Sequence, residues 1–525
     1  MLMTLFWYNQ HMDYLAKAAT LSHQDVADIL EKKDQFAVQL QALQSQLDWF
    51  KQQIFGQKSE RHIENNPTQL SLLGPKVSSP PEQETEEITY KRRKGPKNHD
   101  DSVNDKGLRF DETVPVKEIR MAAPELQGED KEHYVVIDEK ITCRLAQRPA
   151  SYVVLKYIQP VVKSKVTQHI NTHSAPTGLF DKSMADVSFI AGMLLDKFLY
   201  HQPLYRQHQK LKLNGITLAR STLTNLTHRS IDLLEPIFDA QWDSCLQSKV
   251  LAMDETPVKA GPNKNKKGKM KQAYYWPVLG DQDEICFAFA PSRGKTVVQE
   301  LLEGFNGTLL TDGYGVYERY AVQEEIEHAQ CWVYGRRYFV KAEAYEPAAS
   351  DGLDIIGKLY DIEKQIKEQA LNGNEKLTYR QTHSVEVVDE FFDWCKAQCQ
   401  REDLLPKEKM TQALNYMLNR QASLRVFLTN PGVAMDTNAL ERGLRVIPMG
   451  KKNWMFCWTE VGAKYVGIIQ SLLVTCKMHG INPYVYLVDV LQRVATHPAK
   501  QVHELTPRLW KEKFAGNPLT SDLDG

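Results

Sequence analysis

Three acids far apart in the chain, Asp254, Asp312 and Glu441, stand where a carboxylate needs a reason. Asp254 ends the apolar run of KVLAMDETPVKAG (Lys249 to Gly261), beside Glu255 and just before Pro257, where the strand is expected to break. Two adjacent acids at the end of a buried strand are costly unless a cation sits beside them. Side chains alternate along a strand, so Asp254 and Glu255 face opposite sides and only one of them can be a ligand. Asp312 closes the strand GTLLTDG, and Gly313 lets the backbone turn away beside it. In parallel sheets, chemistry collects at the carboxyl ends of strands. Glu441 lies in MDTNALERGLRVIPMGKKNWMF, on a short helix that Asp436 or Thr437 can cap. Leu440 and Leu444 form its buried edge, Arg442 and Arg445 flank Glu441, and Pro448 follows the helix end.

Such donors suit Mg²⁺ or Mn²⁺, which take a few carboxylates, waters and the phosphate oxygens of a substrate. Two such ions roughly 3.5–4 Å apart activate the attacking oxygen and stabilise the leaving one in phosphoryl transfer. Taken singly, each acid reads as an ordinary surface or capping carboxylate. Two strand-end acids and one helical acid, in this order of elements, point to one site.

The elements that must position them follow from the pattern. KVLAMDET, QAYYWPVLG and EICFAFAP read as strands, KTVVQELLEGF as a helix and GTLLTDG as a fourth strand. This is the order of a ribonuclease-H-like α/β core, assigned to residues 244–344 and 431–480. IEHAQCWVY reads as one more strand, and a helical insertion occupies 345–430, with Ile355, Leu359, Ile362 and Ile366 as one apolar stripe. Upstream, 186–243 is helical. Within it a helix, a turn at Asn214-Gly215 and a second helix opening near Ser221 fit a helix-turn-helix, with Arg220, Thr222, Asn225 and His228 able to face a groove. A plain helical hairpin fits the same pattern. Residues 108–185 form a small β-rich region, and 481–525 a helical tail.

Residues 22–60 carry Val26, Ile29, Phe36, Leu40, Leu43, Leu47, Phe50 and Ile54 at spacings of three and four, with Lys33 in the seam. A coiled coil is expected, with an amphipathic helix packed on its own domain as the other reading. The linker at 61–107 holds SSPPEQETEE and KRRKGPK, too polar to bury a core. The basic cluster serves either as a solvated run or as a phosphate contact.

The chain of 525 residues is long enough for about three or four folded units. Its formal net charge of −1 leaves any nucleic-acid contact to local basic patches. Eight cysteines include no CxxC pair, so neither a disulfide framework nor a zinc ribbon is expected, and the thiols suit a reducing compartment. No apolar run is long enough to cross a bilayer, and the start, MLMTLFWYNQHMDYL, lacks the features of a signal peptide. A cytoplasmic protein is expected.

WFKQQIFGQKSER, HQPLYRQ, GITLARSTL, MDETPV, TDGYGVY, CWVYGRRYF, NALERGLR, MGKKNWMF and GINPYVYLVDVLQRV together resemble the large DDE transposase of the insertion sequence 66 family, over nearly the whole chain. The resemblance implies a multidomain α+β protein: an amino-terminal coiled coil, a DNA-binding region and a ribonuclease-H-like core with a helical insertion before the catalytic Glu. By motif position the triad carries over to Asp254, Asp312 and Glu441, with Asp254, not Glu255, as the first aspartate. The implied partners are the terminal repeats of the element, target DNA, a second copy of the chain through the coiled coil, and small accessory proteins encoded beside it. The protein would then associate with the nucleoid when bound to DNA.

Two departures from the family matter. AAPELQGED and VKSKVTQHI stand where its zinc-binding module has cysteine pairs, and Cys143 is alone, so zinc is not expected. In CWVYGRRYF the usual His and Lys correspond to Tyr334 and Tyr338, while Arg336 and Arg337 remain as DNA contacts. Lys451, Lys452 and Trp454 follow the Glu441 helix, where lysines suit phosphates and an indole suits a base; a core role for Trp454 is the competing reading. The expected activity is DNA cleavage and strand transfer at element ends. The rivals are a nuclease on the same fold and a silent descendant that only binds DNA.

Overall fold

The computed structural model describes residues 109–524 apart from 111, 113, 128–130, 149–150, 166–169, 173–174, 182, 264–268, 455–456 and 458. The expected coiled coil at 22–60 and linker at 61–107 lie outside the described residues.

The central sheet explains its own sequence. Strand β7 (Val250–Met253) is buried throughout, as is β11 (Thr308–Thr311), and the two run parallel with Leu309 opposite Leu251. Burial on both faces is why VLAM and TLLT are continuous rather than alternating runs. A third parallel strand, β12 (His328–Gln330), flanks β11. On the other side, β9 (Met270–Leu279) and β10 (Ile285–Ala290) follow antiparallel, so the order is β10-β9-β7-β11-β12. The period of two sorts side chains between two cores. Leu251, Met253, Trp276, Val278 and Leu309 face one side, against Val297 and Val298 of α4 (Lys295–Leu301) and Tyr317 and Tyr320 of α5 (Gly315–Gln323). Val250, Ala252, Tyr275, Phe287 and Leu310 join the larger core on the opposite side.

That second face is covered by α13 (Glu460–Met478), bonded to the edge strand as well as packed on it. Phe287 N–H donates to Ser471 Oγ at 2.9 Å, and Ile285 N–H to Thr475 Oγ1 at 3.1 Å. A Cβ at Gly467 would stand 2.3 Å from the Phe287 carbonyl oxygen, so the helix can approach this closely only with glycine there.

One expectation needs correction. The chain does not leave the sheet at Pro257, because β8 (Thr256–Pro262) pairs with β9 and sets Pro257 opposite Tyr274. On its other side, among the described residues, β8 meets only Cys457, at Ala260, beyond the proline, so no ladder there asks for the N–H that proline lacks.

Upstream, the short β1 (Arg109–Phe110) pairs with β6 (Ile216–Thr217), and β2 (Val116–Arg120), β3 (Tyr134–Arg148), β4 (Ser151–Ser164) and β5 (Ile170–Thr172) form a separate four-stranded sheet. Helix α1 (Val187–Phe198) packs on β3. Helix α2 (Leu204–Leu213) ends at Asn214, Gly215 turns the chain at φ 74°, and α3 begins at Arg220. Helix α3 (Arg220–Leu246) is longer than a recognition helix needs; its far end reaches the central sheet, where Gln241 donates to the Ile285 carbonyl at 2.8 Å.

The helical region contains α7 (Ala349–Glu368), α8 (Gly373–Cys399), α9 (Lys409–Leu418) and α10 (Gln421–Arg425). Trp332 stacks edge-on against Phe391, Phe392 and Phe427 and donates its indole N–H to the Leu424 carbonyl at 2.8 Å. Arg380 of α8 is fully buried; it grips both carboxylate oxygens of Glu363 at 2.7 Å and donates to the carbonyls of Phe427 and Val433 at 2.9 Å. The segment it pins leads to α11 (Asn438–Leu444), which carries Glu441. Past α14 (Pro483–Arg493) and α15 (Pro507–Lys513), the chain returns to the upstream sheet, where Asp522 accepts from the Tyr157 hydroxyl at 2.6 Å.

Candidate active site

The carboxyl ends of β7 and β11 lie side by side, and each is followed at once by an acid. Asp254 leaves β7 with its own N–H on the Pro277 carbonyl at 3.3 Å, while its Oδ1 accepts from Glu255 N–H at 2.7 Å. Asp312 leaves β11, and its Oδ1 accepts from Tyr314 N–H at 2.9 Å, which fixes the turn into α5. This turn is crowded: a Cβ at Gly313 would meet the Tyr416 hydroxyl at 2.5 Å. Arg420, just past α9, donates from Nη2 to the Gly313 carbonyl at 3.1 Å.

Asp254 and Glu255 point to different partners. Glu255 is almost wholly buried; it accepts from the Tyr317 hydroxyl at 2.5 Å and pairs with Arg293, whose Nε lies at 2.7 Å. The Arg293 guanidinium lies 3.9 Å from the Tyr314 ring centroid. A closed circuit thus links the two strand ends through Glu255, Arg293 and Tyr314. The free side of Asp254 faces α6 (Trp332–Glu343), where the Tyr334 hydroxyl donates to Oδ2 at 3.3 Å.

Glu441, in the first turn of α11, accepts from one nitrogen of Arg337, Nη2, at 2.9 Å and 2.8 Å on its two oxygens. Tyr334 and Arg337 are three residues apart on α6, hence on one face. That face touches both Asp254 and Glu441. Burial, with repulsion from Glu255, Asp312 and Glu441, pushes the Asp254 carboxyl up to about 7. Burial also raises Asp312, against the pull of Tyr314 N–H, Arg293 and Arg420. The acids therefore share one field. Among the described residues, no three carboxylate, thiol or imidazole side chains stand close enough to ligate a metal ion as they are. Glu441 has an arginine instead.

The remaining predicted residues are spread over several elements. Arg220, Thr222 and Asn225 occupy the first two turns of α3, with Arg220 and Asn225 exposed. Arg336 is exposed on α6, and Arg442 and Arg445 are exposed in and just after α11. Arg337, expected on DNA, is on Glu441. Pro448 does not end the chain's helical course: α12 (Val446–Trp454) begins two residues earlier, where proline fits the first turn. Lys451 donates to the Pro257 carbonyl at 3.0 Å, Lys452 is exposed, and Trp454 is the last residue of α12. The predicted strand IEHAQCWVY stops at Gln330, and CWVY instead opens α6.

Sequence reasoning missed Arg293, Tyr317 and Arg420, which no spacing connects to the acids. Tyr334 was visible as a departure within CWVYGRRYF, but its contact with Asp254 was not.

The class of protein that this sheet and its acids belong to is given by family comparison. Residues 182–465 match the model of the transposase IS66 family, and 471–508 match its C-terminal element. Residues 42–119 match a model described as transposase C of IS166 homeodomain. The chain belongs to the IS66 transposase family. It is similar to the uncharacterized protein y4hP of Sinorhizobium fredii, 27% identical over 412 residues, covering 73% of each chain. Protein y4jD of the same organism, also uncharacterized, is 27% identical over 389 residues, covering 70% of this chain and 75% of that one.

Proposed function

We propose that this transposase cleaves the ends of its mobile element and joins the freed 3′ ends to target DNA, using Asp254, Asp312 and Glu441 as the ligands of two divalent ions. The observation that supports this reading is that Asp254 and Asp312 end adjacent parallel strands while one face of α6 contacts both Asp254 and Glu441. The strand order, with three antiparallel strands continued by two parallel ones, supports a ribonuclease-H-like core. The helices from α7 to α10 form the insertion before Glu441.

The donor set fits the ion. All three groups are hard oxygen donors on separate rigid elements, and their mutual repulsion is what a divalent cation relieves. When bound, Mg²⁺ or Mn²⁺ supplies activation of the attacking oxygen and neutralisation of charge at the leaving one. The protein's own part is orientation. Tyr334 holds one oxygen of Asp254, Tyr314 N–H holds Asp312, and the Glu255–Arg293 pair keeps the two strand ends in register.

DNA reaches the site over exposed cations. Arg336, Arg442, Arg445 and Lys452 suit phosphates, and Arg220, Thr222 and Asn225 on α3 suit a groove. Residues 22–60 pair two copies of the chain, so that each holds one element end. The test is substitution at the acids. Asp254→Asn, Asp312→Asn and Glu441→Gln should each abolish nicking of element-end DNA while binding persists. Nicking at the wild-type rate by Asp312→Asn would remove this triad.

A further inference from the structure

Arg337 is out of place for a residue whose only task is to touch DNA. Its Nη2 bonds both oxygens of Glu441, and its guanidinium lies 4.7 Å from the Tyr334 ring centroid. The Tyr334 hydroxyl is on Asp254. One face of α6 thus takes hold of two of the three acids from opposite ends. The Arg337 side chain is 48% exposed and Glu441 21%, so the pair stands at the mouth of the site, open to an incoming anion. Among the described residues only Nη2 of that guanidinium has a hydrogen-bond acceptor, which leaves Nε and Nη1 to bond an anion approaching from solvent. Arginine bonds a phosphate as readily as a carboxylate, with the same fork of donors.

We infer that Arg337 is a positioning residue that changes partner. Without DNA it occupies Glu441 and keeps that carboxylate from a divalent ion; a DNA phosphate takes the guanidinium, and Glu441 is released to complete the metal site. This inference rests on the metal-binding reading of the three acids. It makes DNA and metal bind with positive coupling, each tightening the other by the same factor. A half-exposed ion pair sets the size, about two- to five-fold. An idle enzyme therefore holds its ion loosely, and an enzyme on DNA holds it well.

The test is Mn²⁺ binding to the full-length protein, with free Mn²⁺ counted by electron paramagnetic resonance. Arg337→Gln should bind Mn²⁺ about two- to five-fold tighter than wild type without DNA, the gain expected from freeing a carboxylate from a partly exposed ion pair. Arg336→Gln removes the same charge one residue away and should change little. Combining Arg337→Gln with Glu441→Gln should erase the gain. In fluorescence anisotropy with a short duplex of unrelated sequence, which carries no element end to cut, Mn²⁺ should tighten DNA binding by wild type, and less so by Arg337→Gln. Equal Mn²⁺ affinity of Arg337→Gln and wild type would overturn the exchange, as would an equal gain in Arg336→Gln or undiminished coupling in Arg337→Gln. If Asp254→Asn and Glu441→Gln leave Mn²⁺ binding unchanged in otherwise wild-type protein, the metal reading itself fails.

Discussion

Asp254→Asn should stabilise the protein while silencing it, and the gain should depend on pH. An aspartate ordinarily titrates near 3.8, and in the fold Asp254 is pushed up to about 7, first by burial and then by its acidic neighbours. Because the folded value is the higher one, the folded state holds its proton longer than the unfolded state. Stability therefore falls as pH rises from about 4 to about 7, and the full penalty remains above that window. The rise from 3.8 to about 7 corresponds to about 4 kcal/mol as an upper limit. Asp254 is only partly shielded and keeps the Glu255 N–H, so about 1–2 kcal/mol is the expected size after solvent screening. Asparagine keeps the shape and the acceptor but carries no charge. In urea unfolding with a chelator present, Asp254→Asn should exceed wild type by about 1–2 kcal/mol at pH 8, the gap closing near pH 4. Mg²⁺ should stabilise wild type and leave the variant nearly unchanged. Equal stability at pH 8, or a variant weaker at every pH, would refute the argument that burying the charged Asp254 beside other acids costs the fold stability.

Other outcomes follow from the same structure. Arg380→Ala should cost about 3–5 kcal/mol in urea unfolding, because it strands Glu363 and two buried carbonyls; a loss below about 1 kcal/mol would show that the network is dispensable. Arg380→Lys should recover little, since an ammonium cannot replace the planar fork. Deleting residues 1–60 should lower the oligomeric mass in light scattering while DNA binding to a single end persists; an unchanged mass would assign assembly elsewhere. Elemental analysis of the purified protein should find no stoichiometric zinc, and one zinc per chain would contradict the reading of 108–185.

The parts of the site written in local pattern were legible in the sequence. VLAM and TLLT announce buried strands because they are apolar on both faces, and each ends on its acid. Asn214-Gly215 announces the turn between α2 and α3 because the positive φ there is cheap only for glycine. What escaped depends on distant partners. Pro257 reads as a breaker, and only its pairing with the distant β9 makes it a strand residue. CWVY reads as a strand continuing IEHAQ, yet Trp332 is drawn into an aromatic cluster that belongs to the helical region. Arg337 reads as a free cation within a basic motif. Its partner lies 104 residues away in the chain, and nothing local encodes it.

The central claim, that three acids form one site for cutting and joining DNA, is tested most directly by one incubation. Full-length protein is mixed with DNA carrying the element's ends, labelled at the 3′ termini to be freed, together with unlabelled target DNA and Mg²⁺. The account predicts labelled products joined to target, lost together with the nicks in each of Asp254→Asn, Asp312→Asn and Glu441→Gln. Joined product from any of the three at wild-type yield, or nicks without joining in the wild-type protein, would contradict it.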